Sequence, residues 1–401
     1  MPAETPRPLE GLLVLDLTRL LPGPFATLLL ADLGARVIKI EAPIGGDYAR
    51  YMPPLGRSMS GLFAALNRDK QSVALDLKTS AGRAALEALV AKADVLVESF
   101  RPGVMARLGL DHERLSAINP RLIGCAITGY GQDGPLAHKA GHDLNYIAQA
   151  GLAGITGIGG RRVIPGLQMA DIAGGALYGV IGILAALNAR HTTGRGSFVD
   201  ASMTDGVAGM GVMLHAKQHL DGEPVEPGLD ILAGDRPCYR IYRCKDGGGL
   251  AVGALEPKFW MKLCAAIERP DLATDGLATG RHKTRPEAEL EALFAERTRD
   301  EWVELLAEHD VCVEPVLSLE EARQSPHARH RGLFGTHHHP GEGVDFVHQY
   351  LNPALLPGMR PSTAPRPAPA LGQHTRAVLA EVGLDPQTIE ALVTSGAAAQ
   401  A

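Results

Sequence analysis

The stretch from Leu12 to Glu41 constrains the fold more than any other part of this 401-residue chain. Leu12-Leu13-Val14-Leu15-Asp16-Leu17 is a short apolar run and reads as a buried strand. Thr18-Arg19-Leu20-Leu21-Pro22-Gly23-Pro24 is its turn, Phe25 to Leu33 reads as a helix closed by Gly34, and Arg36 to Glu41 reads as a second strand. This is a βαβ unit, with parallel strands and a right-handed crossover expected. The turn lacks GxGxxG, and its two prolines remove amide donors that a pyrophosphate would use, so a dinucleotide site is rejected. A P-loop is also absent.

The rhythm continues. Strands are expected at Ser72–Leu77, Asp94–Ser99 and Leu122–Thr128, with helices at Ser80–Ala93 and Gly103–Leu108. The expectation is a Rossmann-like, doubly wound α/β large domain. Ligands of such sheets bind beyond the carboxyl ends of the strands, where Arg19, Lys78, Ser99-Phe100-Arg101 and Tyr130-Gly131-Gln132 stand. Singly, each reads as a surface residue; their recurrence at successive strand ends suits a phosphorylated ligand. A long helix is expected from Asp171 to about His191, then a strand at Ser197–Met203 and a helix at Thr204–Leu220. Met203, Met210 and Met213 would share a face of that helix, as core packing or as an adaptable apolar surface for an acyl chain.

Residues 221–236 are rich in Gly, Pro and Asp and read as a linker. Beyond it, Tyr239–Cys244 and Gly249–Gly253 form a hairpin around Lys245-Asp246-Gly247-Gly248. Helices near Pro257–Ile267, Arg285–Ala295 and Arg299–Ala307 and a strand at Cys312–Leu317 complete a smaller α+β domain. The expected division is 1–200 as the first part of the large domain, 201–236 as connecting helix and loop, 237–320 as the small domain, and 321–401 as a return to the large one. In that last part His327, His330 and His337-His338-His339 read as a solvated loop without metal-ligand spacing, Pro357–Pro369 as a linker, and Leu371–Thr375 as the opening of a final helix.

Composition removes several function classes. Aromatic residues are 4% and net charge is −6, which argues against a base-stacking nucleic-acid reader and a general polyanion binder. Five scattered cysteines without CxxC spacing support neither a disulfide framework nor a zinc site, and fit a reducing cytoplasm. The opening MPAETPRPLEG has no apolar signal-peptide core. The longest apolar run, Ile172 to Leu187, is short for a membrane span and reads as a buried core helix, so no membrane insertion is expected. High Ala, Gly, Arg and Pro content suggests a bacterial source.

Chemistry concentrates in residues 141–174. Gly141-His142-Asp143-Leu144-Asn145-Tyr146 and Asp171-Ile172-Ala173-Gly174 carry two groups able to move a proton, His142 and Asp171, separated by a loop of small residues. Imidazole side chains titrate near 6.5, so either protonation state is accessible at neutral pH. His142 beside Asp143 also reads as a satisfied pair, and Asp171 as a helix N-cap. Tyr146, one turn on, either hydrogen-bonds or packs. Backbone amides at the start of the helix after His142, that of Asp143 first, are natural donors to a developing oxyanion.

Across residues 9–390 the chain resembles the family III CoA-transferases, and within them the α-methylacyl-CoA racemases. The resemblance rests on VLDLTRLLPGPFATLLLADLGARVIKIE, SVALDLK, DVLVESFRPGVMARLGL, GHDLNY, DIAGG, TGRGSFVDASM, AVGALEPKFW and LGQHT. It implies that His142, Asp171 and Glu256 form an acid/base set, with Glu256 orienting His142, although Glu256 alone would read as a surface residue. In transferases of the family the acid matching Asp171 is instead a nucleophile that forms a mixed anhydride. The resemblance also implies an acyl-CoA thioester as substrate, with no metal or separate cofactor. Further implied are an interlocked homodimer and CoA contacts from Arg19, Leu20, Leu75, Asp76, Leu77, Lys78, Ser99, Phe100, Arg101 and Arg107. Gly141, Asp143, Asn145 and Tyr146 would lie beside the thioester. A family position that often carries arginine is Ala42 here, with Arg50 or Arg57 as candidate substitutes.

Overall fold

The computed structural model describes residues 7–349 and 364–401. The expectations for the first six residues and for the proline-rich stretch up to residue 363 lie outside the described residues. The chain divides into two compact units. One comprises Met1–Ala150, Leu167–Met210 and His327–Ala401; the other comprises Gly151–Gly166 and Gly211–Pro326.

The first unit is a mixed α/β fold on a central parallel sheet. Its strands are β1 (Leu13–Leu17), β2 (Arg36–Glu41), β3 (Lys70–Leu75), β4 (Val95–Glu98), β5 (Ile123–Thr128) and β6 (Phe198–Ser202). They lie in the order β3-β2-β1-β4-β5-β6, so the winding direction reverses between β1 and β4. All these neighbours run parallel. A two-residue strand at Ala398–Ala399, unforeseen from the sequence, pairs antiparallel with the outer edge of β3.

Alternation along the strands sorts residues by face. Leu15 and Leu17 of β1 join Ile38, Ile40, Val73 and Leu75 in one core, packed under Leu86 and Leu89 of the helix Ser80–Val90 and Val378, Leu379, Ile389 and Leu392 near the C-terminus. Asp16, between the two leucines, meets Thr27 of the helix Pro22–Asp32 instead. That helix starts three residues earlier than expected, because both prolines fit its first turn, where an N–H has no intrahelical partner.

Three expectations are corrected. The apolar run after Asp171 is one helix from Ala170 to Thr193, but only half of its apolar window is buried. Leu177, Tyr178, Ile181 and Leu184 form an exposed stripe along it. The helix expected over Thr204–Leu220 is interrupted at Gly211, giving Met203–Met210 and Val212–Asp221. Met203 is buried while Met210 and Met213 are exposed, so the three share no packed face. The histidine-rich segment is not a solvated loop. His337 and His339 lie buried in the strand Phe334–His339, paired with Val344–Gln349, because alternate residues of a half-covered hairpin point inward.

The second unit is built on an antiparallel sheet in which Gly249–Gly253 is flanked by Tyr239–Arg243 and Val313–Val316. The expected turn closes through Gly247, at φ +84°, whose amide donates to the Cys244 carbonyl. Trp260, Phe294 and Trp302 fill its core with Tyr242 and Leu250.

Candidate active site

The turn after β1 is held from beneath by buried charges. Asp16 accepts hydrogen bonds from the Thr18 amide (2.9 Å), the Thr27 hydroxyl (2.6 Å) and the Lys70 ammonium (2.9 Å). Lys39 donates to the Thr18 carbonyl (2.9 Å) and pairs with Asp47 (3.0 Å). Burial pushes the Asp16 carboxyl up, but Lys39, Lys70 and the two threonine hydroxyls overcome this and hold it well below the carboxylate range. The next amides are taken as well: that of Arg19 by the Ser99 hydroxyl (3.1 Å), that of Leu20 by Asp47 (3.0 Å). Leu20 sits at φ +66°, which costs a non-glycine residue about 1–2 kcal/mol. The Asp47 bond offsets that strain. Three successive amides of the turn are thus satisfied by side chains.

Above this turn, at the carboxyl ends of β1, β4 and β5, lies a cavity of about 500 Å³. It sits at the point where the winding of the sheet reverses, the usual place for a ligand in such sheets. Arg19, Arg101 and Lys139 give it three cationic side chains. The Arg19 guanidinium lies over the rings of both Tyr48 and Phe100, 5.2 and 5.3 Å from their centroids. Glu98, at the end of β4, accepts from the Phe100 amide (2.6 Å) and so shapes the Ser99–Arg101 corner. Burial, with the charge of Asp200, pushes its carboxyl up to about 7. The Thr128 hydroxyl is buried in the lining with no partner among the described residues.

His142 and Asp171 both line this cavity. His142 precedes the helix Asp143–Gln149, and its own amide donates to the Asn145 side chain (3.0 Å), which fixes the bend. Tyr146 secures the loop from behind by both expected means. Its hydroxyl donates to the Gly141 carbonyl (2.5 Å), and its ring meets Tyr130 edge-on. Side chains at Gly129 or Gly141 would collide with that ring. Burial and the nearby Asp171 charge push the phenol up to about 12, so it stays a donor. The amides of Asp143 and Leu144, first in the helix, take no protein acceptor among the described residues and remain available to an oxyanion.

Asp171 is not the N-cap that its position suggested. It lies one residue inside the helix, whose first two amides, of Ala170 and Asp171, both donate to the Asp143 carboxylate (2.7 and 3.0 Å). The first turns of this helix, Ala170–Leu177, are widened to π geometry, a local distortion common at functional sites. Gly174 and Gly206 bring it against the helix Met203–Met210 with no side chain between: a Cβ at Gly206 would overlap the Gly174 carbonyl. Burial first, and the Asp143 charge second, push the Asp171 carboxyl from 3.8 up to about 7. A neutral-range acid and an imidazole thus line one cationic cavity, an arrangement suited to moving a proton on an anionic ligand.

Residues 9–375 match the model of CoA-transferase family III. The chain belongs to CoA-transferase family III. Family III relatives include an alpha-methylacyl-CoA racemase from Homo sapiens, 36% identical over 95% of this chain and 95% of that one. A succinyl-CoA:glutarate CoA-transferase from Mus musculus is 36% identical over 97% of this chain and 90% of its own. The crystal structure of a CAIB/BAIF family protein from Brucella suis superposes with a TM-score of 0.79 at 32% identity, covering 94% of this chain and all of that one.

Of the positions implied by the family III resemblance, Arg19, Leu20, Ser99, Phe100, Arg101, Gly141, His142, Tyr146 and Asp171 line the cavity. Leu75, Asp76, Leu77, Lys78 and Arg107 do not. Leu75 is a core residue facing Ala398, and the Asp76 amide donates to the Ala397 carbonyl. Asp143 and Asn145 act on the loop as described, outside the lining. Arg50 does not replace the arginine missing at Ala42. It is buried, forks onto Glu41 (2.7 and 2.8 Å) and covers the Phe63 ring. Arg57 stays outside the cavity as well. Glu256 belongs to the second unit, exposed at the start of the helix Pro257–Ala266. Tyr48, Lys139, Thr128 and Glu98 were missed. Lys139 was the most findable, a cation three residues before His142.

Proposed function

We propose that this protein is a racemase that interconverts (R)- and (S)-2-methylacyl-CoA thioesters. One group removes the α-proton, the thioester oxygen carries the resulting enolate charge, and the conjugate acid opposite returns a proton to the other face. The observation that carries this reading is the pairing of His142 with Asp171 in one cavity, the carboxyl poised at about 7. Such a group can act as base in one direction and acid in the other near neutral pH. The Asp143 amide serves the enolate oxygen, and Arg19, Arg101 and Lys139 suit the phosphates of CoA. Glu256 enters on the family resemblance, as the group that orients His142. The thioester acidifies the α-proton, so the chemistry calls for no metal or redox group.

A second reading has support of its own, since relatives named as CoA-transferases match as strongly as those named as racemases. In it the Asp171 carboxylate attacks the thioester carbonyl, expels the CoA thiolate and becomes an acyl-aspartyl anhydride. The two part on His142. Incubation of the enzyme with 2-methylacyl-CoA in D2O should incorporate α-deuterium and erode optical purity, and His142→Ala should abolish this. Acyl exchange that survives His142→Ala, with a hydroxylamine-trappable adduct at Asp171, would establish the transferase instead.

We also propose a cytoplasmic homodimer. The exposed stripe of Leu177, Tyr178, Ile181 and Leu184 supports an obligate interface better than a solvated face. A monomer at micromolar concentration in analytical ultracentrifugation would count against it.

A further inference from the structure

Asp143 lies between the two reacting groups in function without belonging to the cavity lining. One of its carboxylate oxygens accepts from two amides at once, of Ala170 at 2.7 Å and of Asp171 at 3.0 Å. The helix they begin continues to Thr193. Unpaired amides at a helix N-terminus carry a partial positive charge that favours an ionised carboxylate in the first turn. Left alone, that charge would hold Asp171 ionised and weaken it as a proton carrier. Asp143 caps two of these amides and places a full negative charge there.

We propose that the Asp143 carboxylate is a positioning residue with two linked effects: it anchors the first turn of the Asp171 helix through the Ala170 and Asp171 amides, and its charge cancels the positive helix terminus that would otherwise favour an ionised Asp171. Asp143 directly follows His142, so the same side chain ties the imidazole loop to the carboxyl helix. The inference rests on the racemase reading above in taking Asp171 as the group that moves a proton; in the transferase reading the same residue is a nucleophile.

Other ionisable groups stand on the elements packed against this helix: Tyr146 on the helix Asp143–Gln149, Asp205 on Met203–Met210, Asp200 on β6, Cys125 on β5, Asp32 on Pro22–Asp32, and Tyr178 further along the helix itself. None is among the causes acting on Asp171, which are burial and Asp143. His142, Arg101 and Lys139 share the cavity with Asp171. Asp143 is therefore the side chain whose neutralisation should be felt.

The test is a carboxyl titration followed by NMR in full-length protein labelled with 13C-aspartate, the Asp171 signal being assigned by its loss in Asp171→Asn. Asp143→Asn keeps an oxygen that accepts both amides and removes only the charge. Its Asp171 midpoint should fall by about one pH unit, tenfold in proton affinity, and the corresponding limb of the pH–rate profile should move with it. An unchanged midpoint in a folded Asp143→Asn protein overturns the proposal. If that variant does not fold, Asp143→Ser, whose hydroxyl can cap one amide, takes its place. The unaltered protein offers an independent check: the Asp143 signal should shift as Asp171 titrates, and two independent curves would refute the coupling. Coupling without α-deuterium exchange would leave this inference standing and remove the racemase reading; exchange without coupling would do the reverse.

Discussion

The Tyr146 hydroxyl donates to the Gly141 carbonyl at 2.5 Å, one residue before His142. The loop that presents the imidazole is thereby tied to the buried side of its own helix. Tyr146→Phe keeps the ring in the slot left by Gly129 and Gly141 and removes only this bond. The expected cost is about 1 kcal/mol in stability, with a fall in kcat of roughly tenfold and little change in KM if the loop must hold the imidazole in a reactive pose. Thermal unfolding and steady-state kinetics read both numbers; a KM effect without a kcat effect would mean that the tyrosine serves binding instead.

Lys70 is the second case. Its ammonium shares three protons among Asp16, the Pro24 carbonyl, the Thr27 hydroxyl and Asn67, all within 3.0 Å and all away from water. Lys70→Met preserves length and leaves Asp16 with Lys39 at 4.0 Å as its nearest cation. Breaking a buried pair costs about 3–5 kcal/mol, and a loss of this size is expected in urea unfolding. Because Asp16 also holds the Thr18 amide, the affinity for CoA should fall in the same variant.

Asp171 carries a stability cost with a definite pH dependence. Its folded carboxyl titrates at about 7 against 3.8 when unperturbed. Between these values the folded state binds more protons than the unfolded one, so the contribution of this group to stability falls as pH rises from about 4 to 7 and is flat above. Asp171→Asn removes the cost. It should raise stability by about 1–2 kcal/mol at pH 8, the figure being discounted for partial exposure, and by much less at pH 4. Melting curves of this variant and the parent at the two pH values check the sign.

Gly206→Ala would set a methyl group against the Gly174 carbonyl. Overpacking of this kind costs about 1–3 kcal/mol, and here it would push apart the two helices that place Asp171. A loss of activity larger than the loss of folded protein, measured by circular dichroism, is the expected pattern.

Much of this fold was legible because strands β1 to β5 are short apolar runs separated by helical stretches. Their parallel pairing follows from that rhythm. The cavity residues near strand ends, Arg19 and Ser99 to Arg101, were legible for the same reason. What escaped depends on tertiary contact. Asp171 looked like a cap because a lone acid at a helix start usually is one, and only the fold brings Asp143 to those amides. His337 and His339 looked solvated because three successive histidines hide a strand alternation. Arg50 looked available until Glu41 and Phe63 were seen to enclose it. Leu75 was inferred by family position, and the Ala398–Ala399 strand that pairs with it is too short and bland to signal itself.

That last strand has a consequence for biosynthesis. The edge of the main sheet at β3 is covered only by residues that follow the second unit: His374 and Thr375 bond Ser72 and Ala74, and residues 398 and 399 pair with Leu75 and Ala74. An uncovered edge is a template for wrong partners. The sheet-bearing part of the second unit, Gly211–Pro326, is translated as one piece well before those residues. A nascent chain therefore holds a completed middle while its larger sheet still exposes an edge, and it is vulnerable to wrong pairing until that edge is covered.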